Sequence, residues 1–425
     1  MVSEGCFKKS IVGKIPCEWE ILKLKDAVDM LTDGSHFSPK EVRESKYYIA
    51  TVKNMGQFEI NLNSCKKISE YDYNRLTEAN CKPENGDVLF SKDGTMGLCF
   101  VYTQQEPIVL LSSIAIIRPD NKLDPYFLKY YISNTKMREF IVSNHSSGSA
   151  LPRLTLTNLK EIPIIRPKIQ EQKAIAKILS DLDAKIKLNQ KMNETLESIA
   201  QAIFKHWFID FEFPNEEGKP YKSSGGEMVD SELGEIPKGW KIMNLDEIAY
   251  NLDSKRIPLS NREREARKGG FPYFGATGIL DYVNDYLFDG VHVLMGEDGS
   301  VLSEDGHPIL QYVWGKFWVN NHAHVLRGKI VSNELLYLFL RGTKVSHIVT
   351  GAVQQKINQK NMNKLKFLIP PNKTQSLIEN FLAQIFEKIR LNFEQNKGLS
   401  QIRDFLLPKL MTGKIRVPLE EKENE

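Results

Sequence analysis

Nowhere in the 425 residues is there a run of about 18 apolar residues, so no segment reads as a membrane-spanning helix. The opening Met-Val-Ser-Glu-Gly-Cys-Phe-Lys-Lys lacks the apolar centre of a secretory leader. Cysteine is scarce: Cys6, Cys17, Cys65, Cys81 and Cys99, none in a Cys-x-x-Cys spacing. That pattern excludes the common zinc sites, and an odd count without a leader argues against a disulfide framework. Neither sign of charge dominates, since the net charge is only +3. A nucleic-acid binder of this balance has to gather its cations on one face. A soluble chain in a reducing cytoplasm is the expectation.

Catalytic motifs are missing as well. There is no GxxxxGK[ST] loop for a nucleotide-driven motor; Gly413-Lys414 lacks both the preceding glycine and the hydroxyl residue. Ile369-Pro-Pro-Asn372 has the two prolines of an adenine methyltransferase tetrapeptide but neither flank. Phe274-Gly-Ala-Thr-Gly278 does not satisfy GxGxxG and reads as a turn. No HExxH exists. His322 and His324 could place two imidazoles on one strand face, although an ordinary strand is the simpler reading. No pair of carboxylates stands out as an acid/base couple.

What is present is repetition. Residues 146–208 fall on 349–411. Gly148 lands on Gly351, Pro167 on Pro370, Gln172 on Gln375, Leu179 on Leu382, Ile186 on Ile389, Asn189 on Asn392 and Asn193 on Asn396. A second echo opens each half: Gly13-Lys-Ile-Pro16-x-x-Trp19 returns as Gly234-Glu-Ile-Pro237-x-x-Trp240. A duplicated chain can fold with an internal pseudo-two-fold axis, which suits a two-fold target such as duplex DNA.

Short apolar runs bounded by turn residues predict mixed α/β (α+β) globular regions over 1–166 and 236–369. Strands are expected at Tyr47–Val52, Asp87–Phe90, Cys99–Tyr102, Ile114–Ile117 and Val291–Leu294. Short helices are expected at Pro125–Ile132 and Asn333–Leu340. Residues 214–235 read as a polar linker, and 415–425 as a tail whose end, Glu420–Glu425, is charged and disordered. Between these lie long helical segments, 167–213 and 370–414. Apolar residues spaced by three and four mark a seam in each. In the first it runs through Ile175, Ile178, Leu182, Lys185, Asn189, Leu196 and Ile199. In the second it runs through Ile378, Phe381, Ile385, Lys388, Asn392, Leu399 and Ile402. About 39 residues of helix span roughly 58 Å, and the expected partner of each is the other, antiparallel. The polar members of the seam either fix its register or lie at its edge with their charges in water.

Candidate DNA contacts gather in matched loops. Asn144–Arg153 contains Ser147, Ser149 and Arg153, and its counterpart contains Gln354, Gln355 and Lys356. Hydroxyls and backbone amides suit phosphates, while Gln and Arg can read base edges. Lys255, Arg256, Arg262, Arg264, Arg267 and Lys268 form the strongest basic run, and Lys53, Asn54 and Lys92 are weaker candidates. Taken one at a time each is an ordinary surface charge. Matched across two halves, they form a DNA surface.

Gly13-x-Ile-Pro-x-x-Trp19, Gly234-x-Ile-Pro-x-x-Trp240, Pro272–Gly278, Gly296-Glu-Asp-Gly299, Pro167-x-x-x-x-Gln172, Ile203–Phe211 and Leu406–Ile415 occur in the order found in one family. The chain resembles the specificity subunit of type I restriction–modification enzymes along nearly its whole length. The resemblance implies two target-recognition domains separated by a long antiparallel two-helix coiled coil. Each domain would read half of a split, non-palindromic DNA site, with a gap of at most about 17 base pairs set by the helices. It implies no catalysis and no cofactor on this chain. Two methyltransferase subunits would dock on the helices and carry S-adenosylmethionine, and motor-nuclease subunits would use ATP and Mg. Base-reading residues vary across the family and are not carried over. The alternative from the residues alone is a coiled-coil scaffold that binds no nucleic acid; a fused methyltransferase or nuclease lacks its motifs.

Overall fold

The computed structural model describes residues 6–94, 96–147, 153–351 and 354–418. The end of the tail, Glu420–Glu425, lies outside them. The chain divides into two compact units, one formed by Met1–Gln190 with Phe393–Glu425 and the other by Lys191–Asn392.

In the first unit a four-stranded antiparallel sheet has the order Val28–Asp33, Ile114–Pro119, Val88–Ser91, Cys99–Val101. The second unit has its own sheet in the order Ala249–Asn251, Ala323–Gly328, His292–Gly296, Leu310–Val313. In sequence order both read first, fourth, second, third. Each unit also has a three-stranded sheet whose central strand pairs antiparallel on one side and parallel on the other: Tyr47–Ala50 in the first, Lys268–Phe274 in the second. The topology is therefore duplicated even where sequence similarity has faded. Alternating burial would suit a half-exposed sheet, but Val88–Ser91 and His292–Gly296 are buried at every position. They are central strands covered on both faces, the second face by the helices Pro125–Ser133 and Asn333–Arg341.

After the aromatic helix, each unit repeats a small hairpin, a short helix and a strand before its long helix. The strand Pro163–Arg166 pairs with Glu20–Lys23, and Lys366–Ile369 pairs with Lys241–Asn244. Gln172 then ties the helix start down: its Nε2 donates to Pro167 O at 2.8 Å and to Lys122 O at 2.9 Å, and its Oε1 accepts from Asp124 N at 2.8 Å. Gln375 Nε2 donates to Ile330 O at 2.6 Å in the second unit. The repeated Gly-x-Ile-Pro-x-x-Trp segment supplies a hairpin strand and a core tryptophan. Trp19 Nε1 donates to Glu171 Oε2 at 3.0 Å, and Trp240 packs among Phe208, Phe211 and Phe213.

The long helices are Ile169–Phe208 and Asn372–Met411, the second continuing through Pro408, which lies in its last turn. They run antiparallel in both units. In the first, Asn189 Nδ2 donates to Gln395 Oε1 and to Asn396 Oδ1, both at 2.8 Å, and Arg403 reaches Asp183 at 2.8 Å. In the second, Asn392 Nδ2 donates to Asn193 Oδ1 at 2.8 Å. The expected seam needs correcting by half. The row Ile175, Leu182, Asn189, Leu196, with its copy Ile378, Ile385, Asn392, Leu399, stays buried or half-buried. The other row moves by one residue. Ile178, Ile199, Phe381 and Ile402 are 36, 40, 42 and 50% exposed, whereas Leu179, Ile186, Asn193, Ala200, Leu382 and Ile389 are buried. Three-then-four and four-then-three spacings both fit a heptad, and Ile178 beside Leu179 satisfies either. Lys185 and Lys388 are exposed, so the polar contacts between the helices run through the asparagines, Gln395 and the Asp183–Arg403 pair.

Two further expectations change. Residues 214–235 are folded rather than loose: Phe213 stacks on Tyr221 at 4.6 Å, and Met228–Ser231 pairs with Gly234–Pro237. Cys6 and Cys17 form a disulfide, because the pairing of Phe7 with Pro16 places their flanking residues opposite each other. The second unit has Glu227 and Lys238 across the matching hairpin, ion-paired at 2.8 Å. Burial pushes the free thiols of Cys65 up to about 11 and of Cys99 up to about 12, which keeps them protonated.

Candidate nucleic-acid interface

In the second unit the strands Val349–Thr350 and Lys356–Ile357 form a hairpin. Gly351 adopts φ +88°, and a Cβ there would fall 2.1 Å from Gln354 O, so only glycine fits. The hairpin rests on the turn Gly296–Gly299. Ile357 N donates to Glu297 O at 2.9 Å, Gly299 N to Gln355 O at 3.1 Å, and Gln354 Nε2 to Asp298 Oδ1 at 2.6 Å. Gln354, Gln355 and Lys356 are exposed.

Beneath the turn lies a half-buried charge network around the buried His324. Arg256 Nη1 donates to Glu297 Oε2 at 2.7 Å and to Ala323 O at 2.6 Å. His324 Nδ1 meets Asp253 Oδ2 at 2.5 Å, and its Nε2 meets Ile357 O at 2.8 Å. Both imidazole nitrogens thus face oxygen acceptors. Burial pushes the Asp253 carboxyl up, but the bonds from His324 and Val325 and the charge of Arg256 outweigh it and hold the group below the usual aspartate range. Asp253, Glu297 and His324 have ligand atoms within 4.8 Å of one another. The guanidinium of Arg256 already compensates the carboxylates, and both nitrogens of His324 are engaged, so the geometry is that of an ion-pair network. His322 does not join it: it is exposed, with Nδ1 3.6 Å from Asp298.

The first unit has the same arrangement with different chemistry. The turn Ser91–Gly94 accepts the hairpin through Leu154 N, which donates to Lys92 O at 3.0 Å. Lys92 N donates to Ser113 O at 3.0 Å, and its ammonium is buried 3.0 Å from Asp33 Oδ2. The hairpin backbone pairs Ser147 with Arg153. The side chains of Ser147 and Arg153, and all of Ser149, lie outside the described residues.

Several expected DNA contacts are therefore internal. Lys92 is buried in its ion pair. Asn54 caps its own turn, accepting from Thr51 N at 2.8 Å and donating to Ser64 O at 2.6 Å. Arg256 belongs to the network under the loop. Arg264 Nη1 donates to Leu259 O at 2.8 Å, and its guanidinium lies 5.2 Å from the Tyr273 ring centre. A basic run supplies cations, and the nearest acceptors of the fold claim some of them. Lys53, Lys255 and Arg262 are exposed, as is Lys268, which reaches Asp281 at 2.8 Å. The sequence reading missed Asp33, Asp253 and Glu297; the echo of Asp93-Gly94 in Asp298-Gly299 was the available signal.

The family model for the type I restriction modification DNA specificity domain matches residues 16–198 and 237–401. The MjaIX type I restriction enzyme specificity subunit of Methanocaldococcus jannaschii is 28% identical over 97% of this chain and 96% of its own length. The HindI specificity subunit of Haemophilus influenzae is 23% identical over 78% of this chain and 87% of its own. Among solved structures, a type I restriction–modification S subunit from M. genitalium aligns with a TM-score of 0.50 at 17% identity, covering 92% of this chain and 96% of that one.

Proposed function

The chain belongs to the family of type I restriction–modification specificity subunits, which recognise DNA sequence and leave catalysis to partner subunits, and from that premise we propose that each unit reads one half of a split DNA site. The observation that carries this reading is the duplicated hairpin-on-turn. Two units of one topology present it with different residues: Gln354, Gln355 and Lys356 in the second, the 146–154 hairpin in the first. Equivalent scaffolds with unlike contact residues suit two unlike half-sites. Lys53, Lys255, Arg262 and Lys268 are the exposed cations offered to phosphates.

The long helices take the partners. Ile178, Leu188 and Ile199 are exposed on the first helix, and their repeat partners Phe381, Leu391 and Ile402 are exposed on the second. A spacing of ten residues is close to three turns, so Ile178 and Leu188 lie along one side of the first helix in their unit, and Phe381 and Leu391 along one side of the second in theirs. A duplicated apolar strip suits two copies of one partner, the methyltransferase subunit, with S-adenosylmethionine held there. Motor-nuclease subunits, using ATP and Mg, complete the enzyme in the cytoplasm. Among the described residues no helix is long and apolar enough to cross a membrane.

The test is selection of the full chain with its methyltransferase against random duplexes, followed by sequencing. The reading expects two short blocks at a fixed gap, with affinity falling steeply as salt rises. A single contiguous motif, or no salt-dependent retention, would refute it.

A further inference from the structure

Both units tie the candidate reading hairpin to a strand-end turn through the same backbone bond. Leu154 N donates to Lys92 O at 3.0 Å, and Ile357 N donates to Glu297 O at 2.9 Å. In both, the side chain at that turn position points inward to a counter-charge beside the first strand of the four-stranded sheet. Lys92 meets Asp33, with Asp93 3.9 Å away. Glu297 meets Arg256, with His324 at 3.6 Å and Lys356 at 3.4 Å. The polarity is reversed: a buried cation at the turn in one unit, a half-buried anion in the other. Position and backbone bond persist while the chemistry has changed, which is what selection on placement alone would leave.

We propose that the pair Asp33–Lys92 and the network Asp253–Arg256–His324–Glu297 are positioning elements, each holding one reading hairpin at the height from which its residues meet DNA. The inference rests on the reading of these hairpins as DNA contacts. In the second unit His324 is the link. Its Nδ1 is fixed by Asp253, and its Nε2 reaches the carbonyl of Ile357, so the hairpin strand is held from below by a side chain as well as by backbone. Asp253 is itself fixed by Val325 N at 2.8 Å. A ring held at both ends transmits the position of the sheet to the loop. In the first unit Lys92 does this through its own backbone, accepting from Leu154 N while its ammonium is anchored.

The experiment is the same random-duplex selection on the full chain with its methyltransferase, comparing wild type with Lys92→Met, Lys92→Arg and His324→Leu. Lys92→Met should weaken one sequence block and leave the other, and His324→Leu should weaken the other block and leave the first. The expected loss of preference is roughly tenfold, the cost of about one base contact. Lys92→Arg, which restores the ion pair, should return the first block. Glu297→Gln, of unchanged shape, gives the same readout should His324→Leu not fold. The proposal is overturned if these variants leave both blocks intact or weaken both equally, as general destabilisation would. Gln355→Ala with Lys356→Ala separates the two claims. If that variant leaves both blocks unchanged, the hairpin is not a DNA contact and the reading itself fails. If it weakens a block that His324→Leu spares, only the positioning role fails.

Discussion

Replacing Asp183 by alanine leaves Lys129 and Arg403, 12 and 18% exposed at their side chains, without the carboxylate they share. Asp183 stands on the first long helix, 8% exposed at its side chain. It accepts from Lys129 Nζ at 2.5 Å, Tyr130 Oη at 2.7 Å and Arg403 Nη1 at 2.8 Å. Burial pushes its carboxyl up, and these three partners outweigh burial and hold it below the usual aspartate range. Lys129 shows the opposite balance, with burial lowering its ammonium more than Asp183 raises it. Removing the shared anion therefore strips Lys129 of its carboxylate and leaves Arg403 with Asp404 alone, at 2.9 Å. A broken buried pair costs about 3–5 kcal/mol. In a unit of this size that corresponds to a fall in Tm of roughly 6–20 °C. An exposed pair such as Lys177–Asp181 is worth about 1 kcal/mol at most, so Lys177→Ala serves as the control. The assay is thermal unfolding of the full chain, with hydrogen exchange of Pro125–Ser133 locating the effect. If Asp183→Ala shifts Tm no more than Lys177→Ala does, the hub is not a structural anchor.

Asp183 and Asp253 both have carboxyls held below their usual range, near 3.8. Their contribution is thus fully present above that value and is lost as pH falls through the depressed ones; acid unfolding followed by circular dichroism should steepen below about pH 4, and Asp183→Asn should flatten that limb. Leu179→Ala, at a buried seam position, should cost about 2–5 kcal/mol, while Ile178→Ala next to it should cost under about 1, measured by urea unfolding. The reverse order would restore the uncorrected seam. Leu188→Asp should reduce the methyltransferase copies bound from two to one by native mass, and two copies retained would exclude that strip as the dock.

Long-range repetition made much of this legible. The matches Leu179/Leu382, Ile186/Ile389, Asn189/Asn392 and Asn193/Asn396 fall on the buried or half-buried face of the helices. Spacing records only that a residue is apolar. Duplication records which residues both halves kept, and here it kept the seam together with the exposed pairs Leu188/Leu391 and Ile199/Ile402. The paired tryptophans and Pro-x-x-x-x-Gln motifs were equally readable, since both tryptophans are buried and both glutamines donate to a backbone carbonyl in their own unit. Individual cations were not. Arg262 and Arg264 sit two apart in one basic run, yet only Arg264 meets Leu259 O and the Tyr273 ring. Which of two arginines is left for DNA depends on where the fold places acceptors, and no local pattern carries that. The Cys6–Cys17 bond escaped for a related reason: hairpin register, not cysteine spacing, brings the two together.

The most direct test of half-site reading is exchange. Residues 236–369 are replaced by the corresponding region of another member of the family, and the methylated sequence is mapped. The account predicts that one block of the site changes while the other block and the gap are kept. New letters in both blocks, or none in either, would contradict it.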